Sequence, residues 1–241
     1  MVDNTSVRIV ENDSPREWRL YNIEDDAECM FALQGAVCMS DLPPFKKRTK
    51  YVDNQILYLR QSIAIMGLSI DTFTSSIKAM ARIVAYFSHD VGQNKLKDIE
   101  FILTYQNFPV VHLSNRYFSH RDQVSSGDEV EFDRNVDPLG ILTKLKGQQY
   151  CHAMDNVVNV MYLFQASCCS IDPFRYSYPS IKPDKIHIGD IVEVTLSFVV
   201  YLLAKGRAKC TAVLKTITLI NGKYTRVRGP TRMEEEDCKQ L

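Results

Sequence analysis

The sequence predicts an α+β protein in which a largely antiparallel β-sheet or sandwich carries a two-helix hairpin. β-Branched and aromatic residues dominate the stretch from Lys185 to Arg228, and two segments within residues 49–89 repeat apolar residues at helical spacing. Of the 241 residues, 45% are hydrophobic, which is enough for a sizeable core. We predict one domain over residues 1–228 and a disordered, acidic tail over 229–241.

The C-terminal stretch predicts three antiparallel strands, because Gly-containing breaks divide its β-branched runs. The strands are expected at about 190–203, 208–220 and 223–228, within a β-meander over 188–228. The dipeptide Asn221-Gly222 predicts a type I′ turn between the last two strands, since that turn needs positive φ at both central positions.

The two helices of the hairpin are expected on either side of Gly67. Apolar residues step by three and four in each segment, which places them on one helical face. In the first segment they are Val52, Ile56, Leu59, Ile63 and Met66, and in the second Ile70, Phe73, Ile77, Met80, Val84 and Phe87. Both stripes are expected to pack on the sheet; in the alternative, one of them is a dimer interface. Further strands are expected at 99–105, 109–113 and 156–164, and a short helix at 141–146.

Charge and cysteine content narrow the class of protein. The 29 basic residues balance the 29 acidic ones, so the whole chain is not a polyelectrolyte binder. The segment from Glu11 to Glu28 is acidic and the C-terminal sheet is basic, so either the two lie together or the sheet meets an acidic partner. Seven irregularly spaced cysteines predict no disulfide framework, and we expect neither a signal peptide nor a membrane span. The expected location is intracellular, cytoplasmic or nuclear.

One pattern could hold a metal. His120 and Asp122 form an H-x-D pair whose side chains would share one face of a strand. With His187 or His152 as a third ligand, they would make the facial triad of a non-haem iron oxygenase. Against this, no Lys or Arg lies between Ile188 and Ala204 to bind a cosubstrate carboxylate, and the pair could be solvated loop residues. We therefore expect no cofactor, with iron as the alternative.

Two basic clusters could contact phosphates or an acidic partner. The first follows the Pro43-Pro44 break and contains Lys46, Lys47, Arg48 and Lys50; the second contains Arg226 and Arg228. Either cluster could equally be a solvated surface. Together they keep nucleic-acid binding open as a function, although no set of stacking aromatic residues is evident beside them.

The C-terminal half resembles a family of intracellular proteins that is numerous in mushroom-forming basidiomycete fungi. The resemblance covers roughly residues 135–225. Matching residues are Asp137-Pro138 with Leu142, His152 with Asp155-Asn156-Val157-Val158, Gly189-Asp190-Ile191-Val192-Glu193-Val194 with Ser197-Phe198, and Val213-Leu214, Ile217, Leu219 and Gly222. Ala153-Met154 stand where the family pattern has Thr-Glu, which weakens a role for His152 in an acidic catalytic cluster. The resemblance implies an intracellular fungal origin and no mechanism.

The leading functional interpretation is a non-enzymatic intracellular module that binds or assembles with a macromolecular partner, by protein binding or self-association. The chain lacks a P-loop, a dinucleotide fingerprint, a nucleophile elbow and a C-x-x-C motif, which leans against an enzyme. The iron oxygenase is the alternative, and a nucleic-acid-binding protein is the second alternative. No membrane partner is expected.

Overall fold

The computed structural model describes residues 6–13, 15–45, 53–92, 95–96, 99–165, 176–203 and 206–222. Strands account for 46% of the structure, so the protein is mostly β with few helices. The strands are β1 (Val7–Asp13), β2 (Arg16–Asn22), β3 (Phe31–Asp41), β4 (Arg60–Met66), β5 (Ile102–Tyr105), β6 (Phe108–Arg116), β7 (Ser119–His120), β8 (Tyr150–Cys151), β9 (Asn159–Tyr162), β10 (Phe164–Gln165), β11 (Tyr176–Ser177), β12 (Ile191–Leu202) and β13 (Ala208–Asn221). The helices are α1 (Asp53–Ile56), α2 (Asp71–Val91) and α3 (Ile141–Leu145), with 3-10 turns at Arg121–Gln123, Met154–Asn156 and Pro183–Lys185.

Five of these strands close into a barrel. β12 pairs with β3, β3 with β4, and β4 with β6, all antiparallel. β6 then pairs in parallel with β13 through Ser114 and Val213, and β13 returns antiparallel to β12. Numbered along the chain, the barrel strands follow the cyclic order 1-2-3-5-4, with the third and fifth parallel, which is the order of an OB-like barrel.

The barrel interior is filled by alternate residues of its strands, as the two-residue period of a strand requires. α2 packs its apolar stripe into the same core, and Phe87 is fully buried there. The inward residues include Leu33 and Val37 of β3, Ile63 and Ile65 of β4, Val111 and Leu113 of β6, Val194 and Phe198 of β12, and Leu214 and Ile217 of β13. The side chains between them face outward, and they decide which surface the barrel presents.

A hairpin of β1 and β2 extends the barrel on one side. β2 pairs with the last part of β12, where Arg19 lies opposite Val199 and Glu17 opposite Tyr201. Glu28, shortly after this hairpin, lies 3.8 Å from Lys215 of β13. The acidic N-terminal segment therefore contacts the basic C-terminal sheet of the same molecule, as one of the two sequence interpretations expected.

The prediction of a first helix in this hairpin is wrong. Among the described residues of 49–89, the protein has no two-helix hairpin. Residues 60–66 form β4, with α1 as a single turn ahead of them. Ile63 and Ile65 face the core at strand spacing, while Ala64 and Met66 join a smaller apolar cluster on the opposite face. Apolar residues on both faces hid the two-residue period, and pairing with β3 and β6 overrode the apparent helical spacing.

The second helix is confirmed. α2 runs from Asp71 to Val91, and Phe73, Met80, Val84 and Phe87 of the predicted stripe are buried in the core. Ile77 is half-buried against that core, and Ile70 precedes the helix and is exposed. This stripe packs against the barrel, as expected.

At the C-terminus, the strands predicted at 190–203 and 208–220 are confirmed as β12 and β13. The type I′ turn predicted at Asn221-Gly222 is wrong, because neither residue has a positive φ and Asn221 continues β13 opposite Ile191. Among the described residues of the connection between β12 and β13, Gly206 has a positive φ. The third predicted strand at 223–228 and the tail at 229–241 lie outside the described residues.

A substitution at Gly67 tests the packing at the junction between β4 and α2. A Cβ atom at this position would lie 2.2 Å from Cγ of Phe73, which is buried in the core and has little room to move. We expect Gly67→Ala to lower the free energy of unfolding by about 1–3 kcal/mol through overpacking. Gly127→Ala is the matched control, since nothing lies within 4 Å of its Cβ position. Urea denaturation of both variants measures the difference, and equal midpoints would contradict this packing.

Candidate functional site

The outer wall of β4 and β6 carries two arginines at one end. Arg60 begins β4 and Arg116 ends β6, and the antiparallel register places them directly opposite each other. Because Ile63 and Leu113 face the core, residues at odd spacing from them, including both arginines, face outward. We refer to Arg60 and Arg116 as the arginine pair.

The arginine pair has no acidic partner in the described part of the chain. No carboxylate lies within 4 Å of either guanidinium among residues 6–13, 15–45, 53–92, 95–96, 99–165, 176–203 and 206–222. Like charges directly opposite on neighbouring strands are destabilising. Partial desolvation lowers the pKa of Arg60, and the charge of Arg116 lowers it further, although the Arg60 side chain remains exposed. Such an arrangement would gain free energy from an anion.

Aromatic side chains adjoin the arginine pair. The guanidinium of Arg116 lies over the ring of Tyr201, 6.0 Å from its centroid. Tyr58 lies two residues before Arg60, in the turn ahead of β4, and is 75% exposed. A flat, exposed ring beside two cations can stack on a planar ligand.

Two further basic groups adjoin the pair. His112 lies two residues along the outward face of β6 from Ser114, and Lys209 begins the outward face of β13. Burial lowers the pKa of His112, and the charges of Arg60 and Lys209 lower it further, which favours the neutral imidazole. Lys209 forms an ion pair with Glu100. Arg60 and Arg116 therefore supply the unpaired positive charge of this wall.

An acidic cleft of about 690 Å³ adjoins the same wall and includes Arg116 in its lining. It lies between the β1–β2 hairpin and the segments that follow β6 and β8, and we call it the hairpin cleft. Its other polar lining residues are Glu11, Asn12, Asp13, Glu17, Arg19, Ser119, Gln123, Ser125, Asp128 and Asp155. Five of these are acidic, so the cleft and the arginine pair carry opposite charge.

Arg19 holds the floor of the hairpin cleft together. Its Nε donates to Oε1 of Glu17 at 2.7 Å, and its Nη2 donates to Oδ2 of Asp155 at 2.7 Å. Glu28 accepts from Nη1 at 3.2 Å, and Lys215 donates to Oδ1 of Asp155 at 2.9 Å. These three carboxylates raise the pKa of Arg19 against the opposing effect of burial. Burial raises the pKa of Asp155, but Arg19 and Lys215 outweigh it and bring that pKa down to about 2.

Comparisons with known proteins find three matching chains among the solved structures. No family model and no curated protein matches the sequence. The fold is similar to the crystal structure of a single-stranded DNA binding protein encoded by bacteriophage T7, with a TM-score of 0.37 and 11% sequence identity. That likeness covers 87% of this chain and 92% of the bacteriophage protein. The resemblance to a basidiomycete family stays a prediction.

No helix in the described residues is long and apolar enough to cross a membrane.

The residues of the predicted metal site lie on separate elements. His120 ends β7 with its ring 5.2 Å from that of Tyr150, whereas Asp122 lies in the 3-10 turn that follows. Their expected position on one strand face is wrong, because pairing with β8 ends at His120. His187 lies before β12, where its backbone N–H donates to Asp190 at 2.8 Å. Among the described residues, no group of three or more His, Cys, Asp or Glu side chains could hold a metal ion, so His120, Asp122 and His187 are not brought together.

His152, the other candidate third ligand, is buried. Its Nδ1 lies 2.9 Å from the carbonyl oxygen of Tyr117, and its ring stacks on Phe132 at 4.1 Å between centroids. Burial lowers the pKa of His152, which favours the neutral imidazole. These contacts give His152 a structural role beside a separate apolar cluster formed by Ile56, Tyr117, Phe118, Leu142 and Tyr150.

The predicted phosphate-contact residues Lys46, Lys47, Arg48, Lys50, Arg226 and Arg228 all lie outside the described residues. The sequence interpretation missed Arg60 because it places residues 60–66 in a helix, and it missed Arg116 because the strand expected at 109–113 ends before that residue. The alternation typical of a strand could have revealed both arginines, because Arg60, Ser62 and Ala64 stand at every second position. A second instance of that spacing places His112, Ser114 and Arg116 together.

Asp155 links the β1–β2 hairpin to the barrel, so its charge should affect stability in a defined pH range. Its folded pKa of about 2 lies below the ordinary value of 3.8. The stabilisation is therefore present above pH 3.8 and is lost as the pH falls toward 2. Because the side chain is 48% exposed, we expect Asp155→Asn to cost only about 1 kcal/mol at pH 7.

Thermal unfolding of wild type and Asp155→Asn between pH 7 and pH 2 checks this expectation. The difference in melting temperature should shrink below pH 3.8. Asp122→Asn is the control, because Asp122 is exposed and forms no ion pair among the described residues. A difference that stays constant down to pH 2 would show that the Asp155 carboxylate is not what stabilises the fold.

Proposed function

We propose that this protein binds single-stranded nucleic acid on the outer wall of β4 and β6. The observation that carries the proposal is the arginine pair, which has no carboxylate partner in the described residues and lies at the end of β4 that follows the exposed Tyr58. This is the second alternative from the sequence, supported by different basic residues.

Phosphate chemistry favours this ligand. An arginine guanidinium binds phosphate oxygens through two parallel N–H donors, and two adjacent arginines match the repeating charge of a nucleic-acid backbone. Bound phosphate would also relieve the repulsion between Arg60 and Arg116. The outward neighbours Ser62 and Ser114 lie opposite each other in the next pair with the same orientation, and beyond them the outer face becomes apolar at Ala64 and Met66, so the charge of the wall is confined to its arginine end.

The aromatic groups favour a single strand over a duplex. Bases of a single strand are free to stack, and base–aromatic stacking tolerates any sequence. Tyr58 projects from the connection between the first and second barrel strands, while the connection between the fourth and fifth begins shortly after Tyr201. In OB-folds, the second and third strands and these two connections form the surface that binds oligonucleotides and oligosaccharides. Fold class does not fix function by itself, and the unpaired arginines are what favour the charged ligand.

The salt dependence of binding tests the role of the arginine pair. For a single strand, each phosphate contact contributes about 0.7 to the slope of log affinity against log salt concentration. We expect Arg60→Gln and Arg116→Gln each to weaken binding of a fluorescent 12-nucleotide oligomer and to reduce that slope by about 0.7. Arg82→Gln removes the same charge from the exposed face of α2 and should leave the slope unchanged.

If wild type shows no binding at low salt, the nucleic-acid proposal fails. A protein partner or self-association would then be the better interpretation, as the sequence first favoured. The tip of the β5–β6 hairpin supports that second candidate, because Leu103, Tyr105 and Phe108 are all exposed there. Light scattering of the same samples would detect self-association.

Tyr58 tests the stacking contribution. Replacing Tyr58 with alanine should weaken single-strand binding by about 1–3 kcal/mol, the usual cost of losing one stacked base. Tyr58→Phe should keep most of the affinity, because it retains the ring. Tyr178→Ala removes another exposed tyrosine, 55% exposed, at a distant part of the chain and serves as the control. Fluorescence anisotropy with single-stranded and duplex oligomers measures the effect, and an equal loss on duplex would contradict stacking.

A further inference from the structure

We propose that the hairpin cleft takes the base of a nucleotide whose phosphate lies on the arginine pair, and that Glu17 selects bases with an exocyclic amino group. This inference rests on the proposed function and adds base selectivity to it. It assigns the cleft a ligand chemistry, a bound orientation and a residue that determines specificity.

The position of the cleft fits a neighbouring base. Arg116 belongs both to the arginine pair and to the lining of the hairpin cleft, so the two surfaces are continuous. A volume of about 690 Å³ is within the range of sites for small ligands and leaves room for one base and its sugar.

Charge fixes the orientation of the nucleotide. Against the two arginines, Arg19 and Arg116, the lining includes the carboxylates of Glu11, Asp13, Glu17, Asp128 and Asp155. Those carboxylates repel a phosphate, and Arg19 is already engaged by three of its acidic neighbours. A neutral base whose amino group donates hydrogen bonds meets no such repulsion. The backbone therefore lies over β4 and β6, and the base points toward the β1–β2 hairpin.

Glu17 supplies the contact that selects the base. The residue lines the cleft and is only 4% exposed. Its Oε1 accepts from Nε of Arg19, whereas Oε2 is buried and accepts no hydrogen bond from the described residues. A buried carboxylate oxygen without a donor is costly. Because Oε2 has almost no exposed surface, the base reaches it when the Glu17 side chain turns toward the cleft, and the new hydrogen bond stabilises that position. The exocyclic amino group of cytosine, adenine or guanine provides the donor, while thymine and uracil place a second acceptor at the position of the cytosine amino group.

A change in the ligand alone tests this inference without altering the protein. Three deoxy 12-mers vary the group at ring position 4: oligocytidine carries an amino group, the 2-pyrimidinone oligomer carries only hydrogen there, and oligothymidine carries a carbonyl together with an N3–H and a C5 methyl group. At fixed salt we expect wild type to bind oligocytidine about ten-fold more tightly than the 2-pyrimidinone oligomer, with oligothymidine weakest. Equal affinity for the cytidine and pyrimidinone oligomers would overturn the inference.

Glu17→Gln gives a sharper outcome. Arg19 Nε donates to Oε1, so the glutamine amide oxygen takes that place and its amide nitrogen takes the place of Oε2. The selecting acceptor then becomes a donor, and the preference should reverse in favour of oligothymidine. A variant that lost packing alone would bind all three oligomers more weakly without reversing their order. Glu24→Gln, at an exposed position outside the cleft, should keep the wild-type order.

The two proposals fail in different ways. If wild type binds none of the three oligomers, the proposed function is wrong. If it binds all three equally and the arginine variants still reduce the salt slope, the proposed function stands and the base-selecting role of Glu17 is wrong. If Glu17→Gln does not fold, the wild-type comparison of cytidine with 2-pyrimidinone decides the inference.

Discussion

The register between β4 and β6 is the constraint on which the candidate site and the core both depend. Pairing Ile63 with Leu113 directs both residues into the barrel, and the same alignment sets Arg60 against Arg116 on the outer wall. A slip of one residue would move every side chain of one strand to the opposite face. The register that buries the core residues therefore also places two arginines side by side, where they repel each other. Their positive charge remains available to a ligand.

The Arg19 network has a comparable importance for the hairpin cleft. Arg19 is buried, and it bridges Glu17 of its own strand, Glu28 after the hairpin and Asp155 in the turn before β9. Removing one partner from a buried ionic network leaves an uncompensated charge, so the members are mutually dependent. Since Asp155 also binds Lys215, the network ties the β1–β2 hairpin to the barrel and sets the shape of the cleft.

Local signals allowed some elements to be predicted from the sequence. α2 has one continuous apolar stripe, and β12 and β13 are long β-branched runs separated by a Gly-containing break, so residues close in the chain were sufficient. β4 was misassigned because Ala64 and Met66 make its outer face apolar as well, and only pairing with β3 and β6 distinguishes it from a helix. Arg60 and Arg116 are 56 positions apart, so their proximity depends on long-range register that a single sequence does not reveal.

For the possible metal ligands, the sequence shows which residue types are present, but the fold decides how far apart their side chains lie. The H-x-D spacing requires an extended strand to align its side chains, and the chain turns at Arg121 instead. His152 shows the same limitation, since its contacts with Tyr117 and Phe132 come from distant parts of the chain. Such contacts decide whether a histidine is a ligand or part of a core.

The parallel contact between Ser114 and Val213 has a consequence for how the protein folds. In the described residues it is the single pairing that joins β6 to β13, and its partners are separated by 99 positions. Closing a loop of that length carries a large entropic cost that is recovered only after the contact forms. β13 is the last barrel strand along the chain, so the ring cannot close until this strand has been synthesised and has paired with β6. Until then, the edges of β6 and β13 at this seam are unpaired and open to association with other chains.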